Sequence, residues 1–218
     1  MTRTALACAL FALLALASAA WLTHGFRVWT AEGARRLELA LEPVAAPAVD
    51  VVVAGDGPRS LPLPQLLRAD GAVTIVDFVY THCRAACAAL GTGFQQLQAR
   101  IGADEATRAA GAAGRMRLLS ISFDRERDDP ATLARYAAVL DARPGTWRFA
   151  AVPDAAQLAA LLRQFQVVVI PDALGGYEHN AALLVIDPNA RLVRIFDYAR
   201  IDDAWHFARA LAADAVRE

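Results

Sequence analysis

The first pattern along the chain is a long apolar run. Residues 5–22 are apolar at every position but one, and no formal charge lies between Arg3 and Arg27. A run of this length is at the lower limit for a helix that crosses a bilayer, and Trp21 stands where an interfacial aromatic side chain is expected. The small residues at 17–19 leave a second interpretation, a cleavable signal peptide. Under either interpretation the rest of the chain is exported.

The pattern changes twice after this run. We predict a signal anchor or transmembrane helix over 1–26, a juxtamembrane helix and linker over 27–49, and a folded domain over 50–218. Thr30 is the expected N-cap of the short helix, which ends at residue 41. The sequence PVAAPAV at 43–49 is predicted to be the linker.

Within the folded domain, short β-rich runs alternate with longer helical ones. Asp129 before Pro130 is a favourable helix start, and the Pro188-Asn189 turn is short enough to force an antiparallel hairpin. The order strand, helix, strand, helix, hairpin, helix is typical of a thioredoxin-like α/β fold. The predicted strands are 73–80, 117–123, 181–187 and 191–198; the predicted helices are 84–101, 130–140, 154–165 and 202–215, with a loop or frayed helix end at 102–115.

Composition narrows the classes of function. The chain of 218 residues is 56% hydrophobic and carries 22 basic against 23 acidic side chains, for a net charge of -1. It has no basic excess to neutralise phosphates, so we expect no nucleic-acid partner. Three cysteines are too few for a disulfide scaffold. Cys8 lies inside the apolar run and is interpreted as a small apolar residue, which leaves Cys83 and Cys87 to be explained.

The two remaining cysteines stand four residues apart, after a predicted buried strand and at the start of a predicted helix. This spacing places both sulfurs on one face, one turn apart. Unsatisfied N–H groups at the helix start and the charge of Arg84 favour the thiolate form. The pair can form a disulfide, or bind Cu(I) or zinc if a third ligand comes from elsewhere. In an exported domain disulfides persist, so free thiols need a reason.

Three histidines follow the apolar segment and its flank. His206 is expected to be partly exposed on the last helix, and His82 is expected to point to the opposite side of the strand end from Cys83. His179 lies in the loop LGGYEHN, just before a predicted strand, where the fold brings that loop beside the cysteine helix. It is therefore the candidate third ligand.

Three stretches together resemble a known family. DFVYTHCRAAC at 77–87, SISFDRERDDPATLARY at 120–136 and YEHNAALLVIDPNARL at 177–192 look like the three signature blocks of the Sco/SenC family, in order and at compatible spacing. The resemblance covers about residues 50–215. It implies a membrane-tethered, thioredoxin-like protein that binds copper, as Cu(I) or Cu(II), and assists assembly of the CuA centre of cytochrome c oxidase.

Residue by residue, the resemblance makes Cys83, Cys87 and His179 the copper ligands. It implies the CuA-bearing oxidase subunit as a partner, with other copper carriers possible, and a single-pass protein of the inner membrane whose soluble domain faces the periplasm. Many family members have proline directly after the first cysteine, where this chain has Arg84. This departure affects the redox potential of the thiols and the surface that a partner protein would contact.

Two carboxylates are candidates for supporting roles near the metal. Asp77 precedes Cys83 by six residues, the offset at which thioredoxins hold a buried acid beneath their cysteines. A buried carboxyl has a raised pKa and can exchange protons with a thiol; the alternative is a structural, hydrogen-bonded aspartate. Asp124 begins the charged loop 124–129, which we expect to be mostly solvated surface and helix cap, with Asp124 itself as a possible neighbour of the ligands.

Other functions remain open at this point. The main alternative is a thiol:disulfide oxidoreductase in which Cys83 attacks and Cys87 resolves. A copper carrier needs no turnover, and His179 discriminates between the two because dithiol exchange has little need of it. A peroxiredoxin-like peroxidase is weaker, because the Pro-x-x-x-Thr-x-x-Cys arrangement is absent. Purely structural cysteines do not explain why the pair occurs together with the His179 block.

Overall fold

The computed structural model describes the chain except for residues 1, 24, 27, 58, 83–85, 108–114, 173–174 and 216–218; the side chains of the helical residues 2, 31, 32, 35, 86–90 and 107 are also outside the description. The chain divides into two compact units, Met1–Glu42 and Pro43–Glu218.

The first unit consists of two helices, α1 (Thr2–Leu22) and α2 (Ala31–Leu41). Within α1, Arg3–Leu22 is long and apolar enough to cross a membrane, and none of it is buried in the protein. This test rests on length and composition, which a signal sequence shares. The side chain of Thr30 accepts a hydrogen bond from the backbone N–H of Gly33 at 3.0 Å, which confirms the predicted cap of α2.

The second unit is a mixed α/β structure. Its helices are α3 (Leu63–Arg68), α4 (Ala86–Thr107), α5 (Pro130–Val139), α6 (Ala155–Gln164) and α7 (Ile201–Asp214). Its strands are β1 (Val44–Ala45), β2 (Asp50–Val53), β3 (Ser60–Pro62), β4 (Val73–Val79), β5 (Met116–Ser122), β6 (Trp147–Ala151), β7 (Val169–Pro171), β8 (Tyr177–His179), β9 (Ala182–Ile186) and β10 (Arg191–Asp197).

Eight of these strands form one sheet in the order β1-β10-β9-β4-β5-β6-β2-β3. The central strands β4, β5 and β6 are parallel, and the flanking pairs are antiparallel. All seven residues of β4 are buried, as expected for a central strand covered by helices on both faces. Strands β7 and β8 form a separate two-stranded hairpin.

The main hydrophobic cluster holds the helices against the sheet. Phe94 and Leu97 of α4 are fully buried in it, together with the aromatic rings of Trp147 and Phe149 of β6. On the last helix, Trp205 joins the same cluster. Helix α4 is therefore fixed against the central strands.

Several predicted elements are confirmed. Asp129 caps α5, where its Oδ1 accepts from the backbone N–H of Thr132 at 2.6 Å, and α5 begins at Pro130 as expected. The predicted hairpin is the antiparallel pair β9 and β10. The buried strands β4 and β5 lie within one residue of their expected bounds at both ends.

Other predictions are wrong in detail. The segment 43–49 is not only linker, because Val44 and Ala45 pair with Leu192 and Arg191 of β10. The loop or frayed helix end expected from residue 102 begins later, because α4 continues through Gly102 to Thr107. Helix-forming residues such as alanine and glutamate follow this glycine and outweigh it. Residues 108–114 of the predicted loop lie outside the described part of the chain.

Candidate metal centre

The cysteine segment lies between the central strand and the longest helix of the domain. Strand β4 ends at Val79 and α4 begins at Ala86, so that Cys87 is in the first turn of the helix. This confirms the predicted order of strand and helix around the pair. Cys83, Arg84 and the side chain of Cys87 lie outside the described residues, and the two thiol ligands remain predictions.

His179 has an unusual environment. It is the last residue of β8, opposite Val169 of β7, and its ring packs against Phe123 with ring centroids 5.1 Å apart. Both ring nitrogens are buried, and neither has a hydrogen-bond partner among the residues that the structure describes. Burial lowers the pKa of His179 below 6.5, so that the ring is neutral at pH 7.

A buried neutral imidazole with two unsatisfied nitrogens is costly unless something binds to it. A metal ion at one nitrogen would remove part of this cost, and neutral imidazole is the form that ligates metals. The environment of His179 therefore fits the copper-ligand role that the sequence predicts. It also separates His179 from His206, which is exposed on α7 as expected.

An aromatic cluster holds the hairpin of His179 in place. The rings of Tyr80, Phe123 and Tyr177 contact one another with centroids 5.3–5.5 Å apart. The Tyr80 hydroxyl accepts a hydrogen bond from the backbone N–H of Tyr177 at 3.3 Å. Because Tyr80 directly follows β4, this contact connects the end of the central strand to the strand that carries His179.

The loop of the hairpin brings one glycine close to two polar side chains. A Cβ atom on Gly176 would lie 2.7 Å from Asp172 Oδ2 and 3.3 Å from the Tyr80 hydroxyl. The backbone N–H of Gly176 donates to Asp172 Oδ1 at 2.7 Å. The close approach of these groups fixes the path of the chain shortly before His179.

Asp128 ties the segment before the cysteines to strand β5. Its side chain is buried, with 1% exposure. Its Oδ1 accepts from the Thr81 hydroxyl at 2.6 Å, and its Oδ2 accepts from the Thr81 backbone N–H at 2.9 Å and from the Ser122 hydroxyl at 2.7 Å. Thr81 is two residues before Cys83, so this carboxylate anchors the chain close to the first predicted ligand.

Asp124 and Arg127 form a second set of contacts, which reaches the segment just before His179. Asp124 is 1% exposed, and its Oδ2 pairs with Arg127 Nε at 2.5 Å. Arg127 also donates from Nη1 to the backbone carbonyl of Gly175 at 2.7 Å, and its guanidinium lies 5.5 Å from the centre of the Tyr177 ring. The expectation of a solvated loop at 124–129 is therefore wrong for Asp128, whereas Asp124, which was excepted from it, is also buried.

His82, Asp124 and Asp128 also lie close together, with one possible ligand atom of each within 4.8 Å of the others. The protein itself accounts for part of this cluster, because Asp124 Oδ1 is buried without a hydrogen-bond partner among the described residues. Asp128 already accepts hydrogen bonds at both oxygens, Asp124 pairs with Arg127, and the exposed His82 ring has its Nδ1 3.2 Å from the Thr81 hydroxyl oxygen. The position of His82 relative to Cys83 lies outside the description.

Asp77 is a buried acid in the middle of the sheet. It is 1% exposed and lies opposite Ser120 in the pairing of β4 with β5. Burial raises the pKa of Asp77 from 3.8 to about 7, although a hydrogen bond with Ser120 opposes the rise. Its Oδ1 has no hydrogen-bond partner within the described structure. The expected burial is confirmed, whereas a proton exchange with the thiols stays a prediction.

Sequence reasoning missed the residues that join the two sides of the site, which are Tyr80, Arg127, Asp128 and Tyr177. Tyr80, Arg127 and Asp128 carry groups that contact partners more than forty positions away in the sequence. All four lie inside the three blocks that carry the family resemblance. Their position inside these blocks was the one sequence signal that they contribute to the site.

The second unit thus has a thioredoxin-like α/β fold, with one predicted thiol ligand, Cys87, in the first turn of α4 and with His179 packed against Phe123, directly after β5. The family model SCO1/SenC matches residues 67–213. The chain therefore belongs to the SCO1/SenC family.

Individual relatives are distant. The SCO1 protein homolog of Bacillus subtilis (strain 168) is 22% identical over 135 residues, which cover 61% of this chain and 65% of that relative, just under two thirds of its length. The solved structure of Bradyrhizobium japonicum ScoI with copper bound is 21% identical, with a TM-score of 0.60 over 77% of this chain and 99% of that one.

A third relative is BsSco, described as a member of the Sco family of cytochrome c oxidase assembly proteins in which a disulfide switch was identified. It is 18% identical, with a TM-score of 0.61 over 78% of this chain and 96% of that one. At these identities the solved structures establish the fold of this chain.

Proposed function

We propose that this chain is a membrane-anchored copper-binding protein, a metallochaperone that assists assembly of the CuA centre of cytochrome c oxidase. The observation that carries the proposal is His179, whose two ring nitrogens are buried without a partner among the described residues. Family membership and a copper-bound relative of the same fold supply the identity of the metal.

The proposed ligands are Cys83, Cys87 and His179. Two thiolates and one imidazole suit Cu(I) in a three-coordinate site and can also hold Cu(II). A site with few ligands suits a protein that must release its metal to an acceptor. Cys87 is in the first turn of α4, Cys83 precedes that helix in the sequence and His179 is in β8, so the site is complete only when these segments are held together.

The proposed location is the inner membrane, with a single N-terminal span and the copper domain in the periplasm. The apolar helix Arg3–Leu22 supports an anchor. The proposed partner is the oxidase subunit that carries CuA, and other copper carriers would supply the metal. A net charge of -1 supports the expectation that nucleic acid is not a partner.

The test is a Cu(I) titration of the reduced full chain in detergent against a competing chelator. Loss of Cys83 or Cys87 to serine, or His179→Ala, should weaken binding by more than the 10–100-fold typical of losing an outer hydrogen-bond partner of a metal ligand. His206→Ala, on the exposed face of α7, is the matched control and should bind as the unaltered protein does. Unchanged affinity in His179→Ala would refute the site.

A thiol:disulfide oxidoreductase that reduces the cysteines of the copper-accepting subunit is the second candidate, favoured by the disulfide switch described for BsSco. In this function Cys83 and Cys87 would be catalytic. The two functions are separated by complementing cells that lack this protein and measuring the copper content of the oxidase. If His179→Ala restores full CuA content while either cysteine variant restores none, the reductase function is supported over copper transfer.

A further inference from the structure

One short turn contacts both sides of the proposed copper site. The backbone carbonyl of Asp124 accepts from the N–H groups of Arg127 at 3.3 Å and Asp128 at 2.9 Å, which closes the turn. The turn directly follows the end of β5 and precedes α5. Two adjacent side chains of this turn, Arg127 and Asp128, then extend to opposite segments of the site.

We propose that Arg127 and Asp128 are positioning residues for copper, with Asp128 fixing the segment that leads to Cys83 and Arg127 fixing the loop that leads to His179. The inference rests on the proposed function and adds to it the residues that set the distance between the ligands. Neither side chain is a proposed ligand.

Asp128 restrains the cysteine side through both the backbone and the side chain of Thr81. A bond to the backbone N–H fixes the direction of the chain two residues before Cys83. The third bond, from Ser122, holds the carboxylate to the end of β5. Because Asp128 is 1% exposed, water does not compete for these bonds.

Arg127 restrains the histidine side. Its Nη1 holds the carbonyl of Gly175, four residues before His179, and its guanidinium lies over the ring of Tyr177. Its Nε is held by the buried carboxylate of Asp124, so the guanidinium has a fixed orientation. The planar group uses two different nitrogens for two partners, which a lysine ammonium cannot do with the same geometry.

The ligands are far apart in sequence, so their separation depends on contacts of this kind. Loss of either tie should leave all three ligands present but less well placed. Outer partners of metal ligands typically change metal affinity by about 10–100-fold. A loosened site should also change the electronic environment of Cu(II), which a purely structural role elsewhere in the domain would not do.

The experiment compares Arg127→Gln, Arg127→Lys and Asp128→Asn with Arg125→Gln in the full chain in detergent. Arg125 is an exposed neighbour in the same turn that donates to Pro153, away from the hairpin. Cu(I) affinity is measured by chelator competition. The Cu(II) form is characterised by its thiolate-to-Cu(II) absorption and its electron paramagnetic resonance spectrum, and the unfolding temperature is measured on the metal-free protein.

We expect about 10–100-fold weaker Cu(I) binding and an altered Cu(II) spectrum in the Arg127 and Asp128 variants, with Arg125→Gln unchanged. Arg127→Lys should not rescue the site. If the Arg127 and Asp128 variants match the unaltered protein in Cu(I) affinity and in their Cu(II) spectra, the positioning role is refuted, whatever their unfolding temperatures. If Asp128→Asn does not fold, the variants of the exposed Arg127 still test the positioning role. Thr81→Val, which removes only the hydrogen bond from the Thr81 hydroxyl to Asp128, then tests the contact on the cysteine side.

The outcome also separates this inference from the function on which it rests. If the unaltered protein does not bind Cu(I), the proposed function fails and the inference fails with it. If the unaltered protein binds Cu(I) through Cys83, Cys87 and His179, but the Arg127 and Asp128 variants match it, only the positioning role is wrong.

Discussion

Replacement of Asp77 by asparagine should stabilise the domain, and the gain should depend on pH. Burial in the sheet raises the pKa of Asp77 from 3.8 to about 7 in the folded protein. In the unfolded chain the carboxyl is in water and ionises near 3.8. Between these two values the folded state keeps a proton that the unfolded state has lost, so the stability of the natural protein falls as pH rises from about 4 to about 7.

The size of the effect follows from the two pKa values. One pKa unit corresponds to about 1.4 kcal/mol, so a rise of about three units makes folding less favourable by about 4 kcal/mol above pH 7. Asparagine has a similar shape and does not ionise. The stability difference between Asp77→Asn and the natural protein should therefore grow by up to about 4 kcal/mol between pH 4 and pH 7, and then level off.

Urea unfolding of the Pro43–Glu218 unit at a series of pH values measures this difference. That unit contains its own hydrophobic cluster, and the fluorescence of Trp147, which is 2% exposed, reports on its unfolding. The thiols are kept reduced throughout. Asp56→Asn, at an exposed position after β2, is the control that removes the same charge without burial. A difference between Asp77→Asn and the natural protein that stays constant from pH 4 to pH 8 would contradict the reasoning.

Two further predictions concern the histidine hairpin. In the metal-free protein, an NMR titration should place the pKa of His179 below 6.5, because burial disfavours its charged form; stability should then fall as pH drops below 6.5, and His179→Phe should lose this dependence. A midpoint above 6.5 would be inconsistent with the buried ring. Gly176→Ala should weaken Cu(I) binding, because its Cβ would lie 2.7 Å from Asp172 Oδ2, whereas Gly145→Ala, with nothing within 4 Å, should bind normally. Equal binding by both alanine variants would show that the loop adjusts freely.

Local patterns predicted the parts of the fold that local forces decide. The continuous apolar run of β4 and the Asp129-Pro130 start of α5 are examples, because a buried strand and a capped helix each carry their signal within a few residues. Strand β6 was missed. Its sequence WRFAA has no clear alternation, and its pairing with β5 is a contact between distant segments.

In the candidate site, too, local patterns could be read from the sequence and long-range contacts could not. The cysteine spacing and the His179 block were visible in the sequence, but nothing local distinguished the burial of Asp128 from the exposure of Glu126 within the same charged run. That difference arises because Thr81 and Ser122, from two other segments, meet at Asp128. Likewise, the unpartnered state of the His179 nitrogens depends on Phe123 and the folded hairpin around it.

The hairpin of β7 and β8 stands apart from the eight-stranded sheet, and none of its described residues belongs to the main hydrophobic cluster. A substitution in β7 therefore removes no contact within the main cluster, whereas Tyr177 of β8 carries the ring contacts to Tyr80 and Phe123. Over evolutionary time, relatives can vary the hairpin and change how tightly the histidine binds its ligand while the scaffold keeps its stability. Divergence in metal affinity within the family is then expected to concentrate in β7, which lies outside the three signature blocks, rather than in β8, which carries Tyr177 and His179.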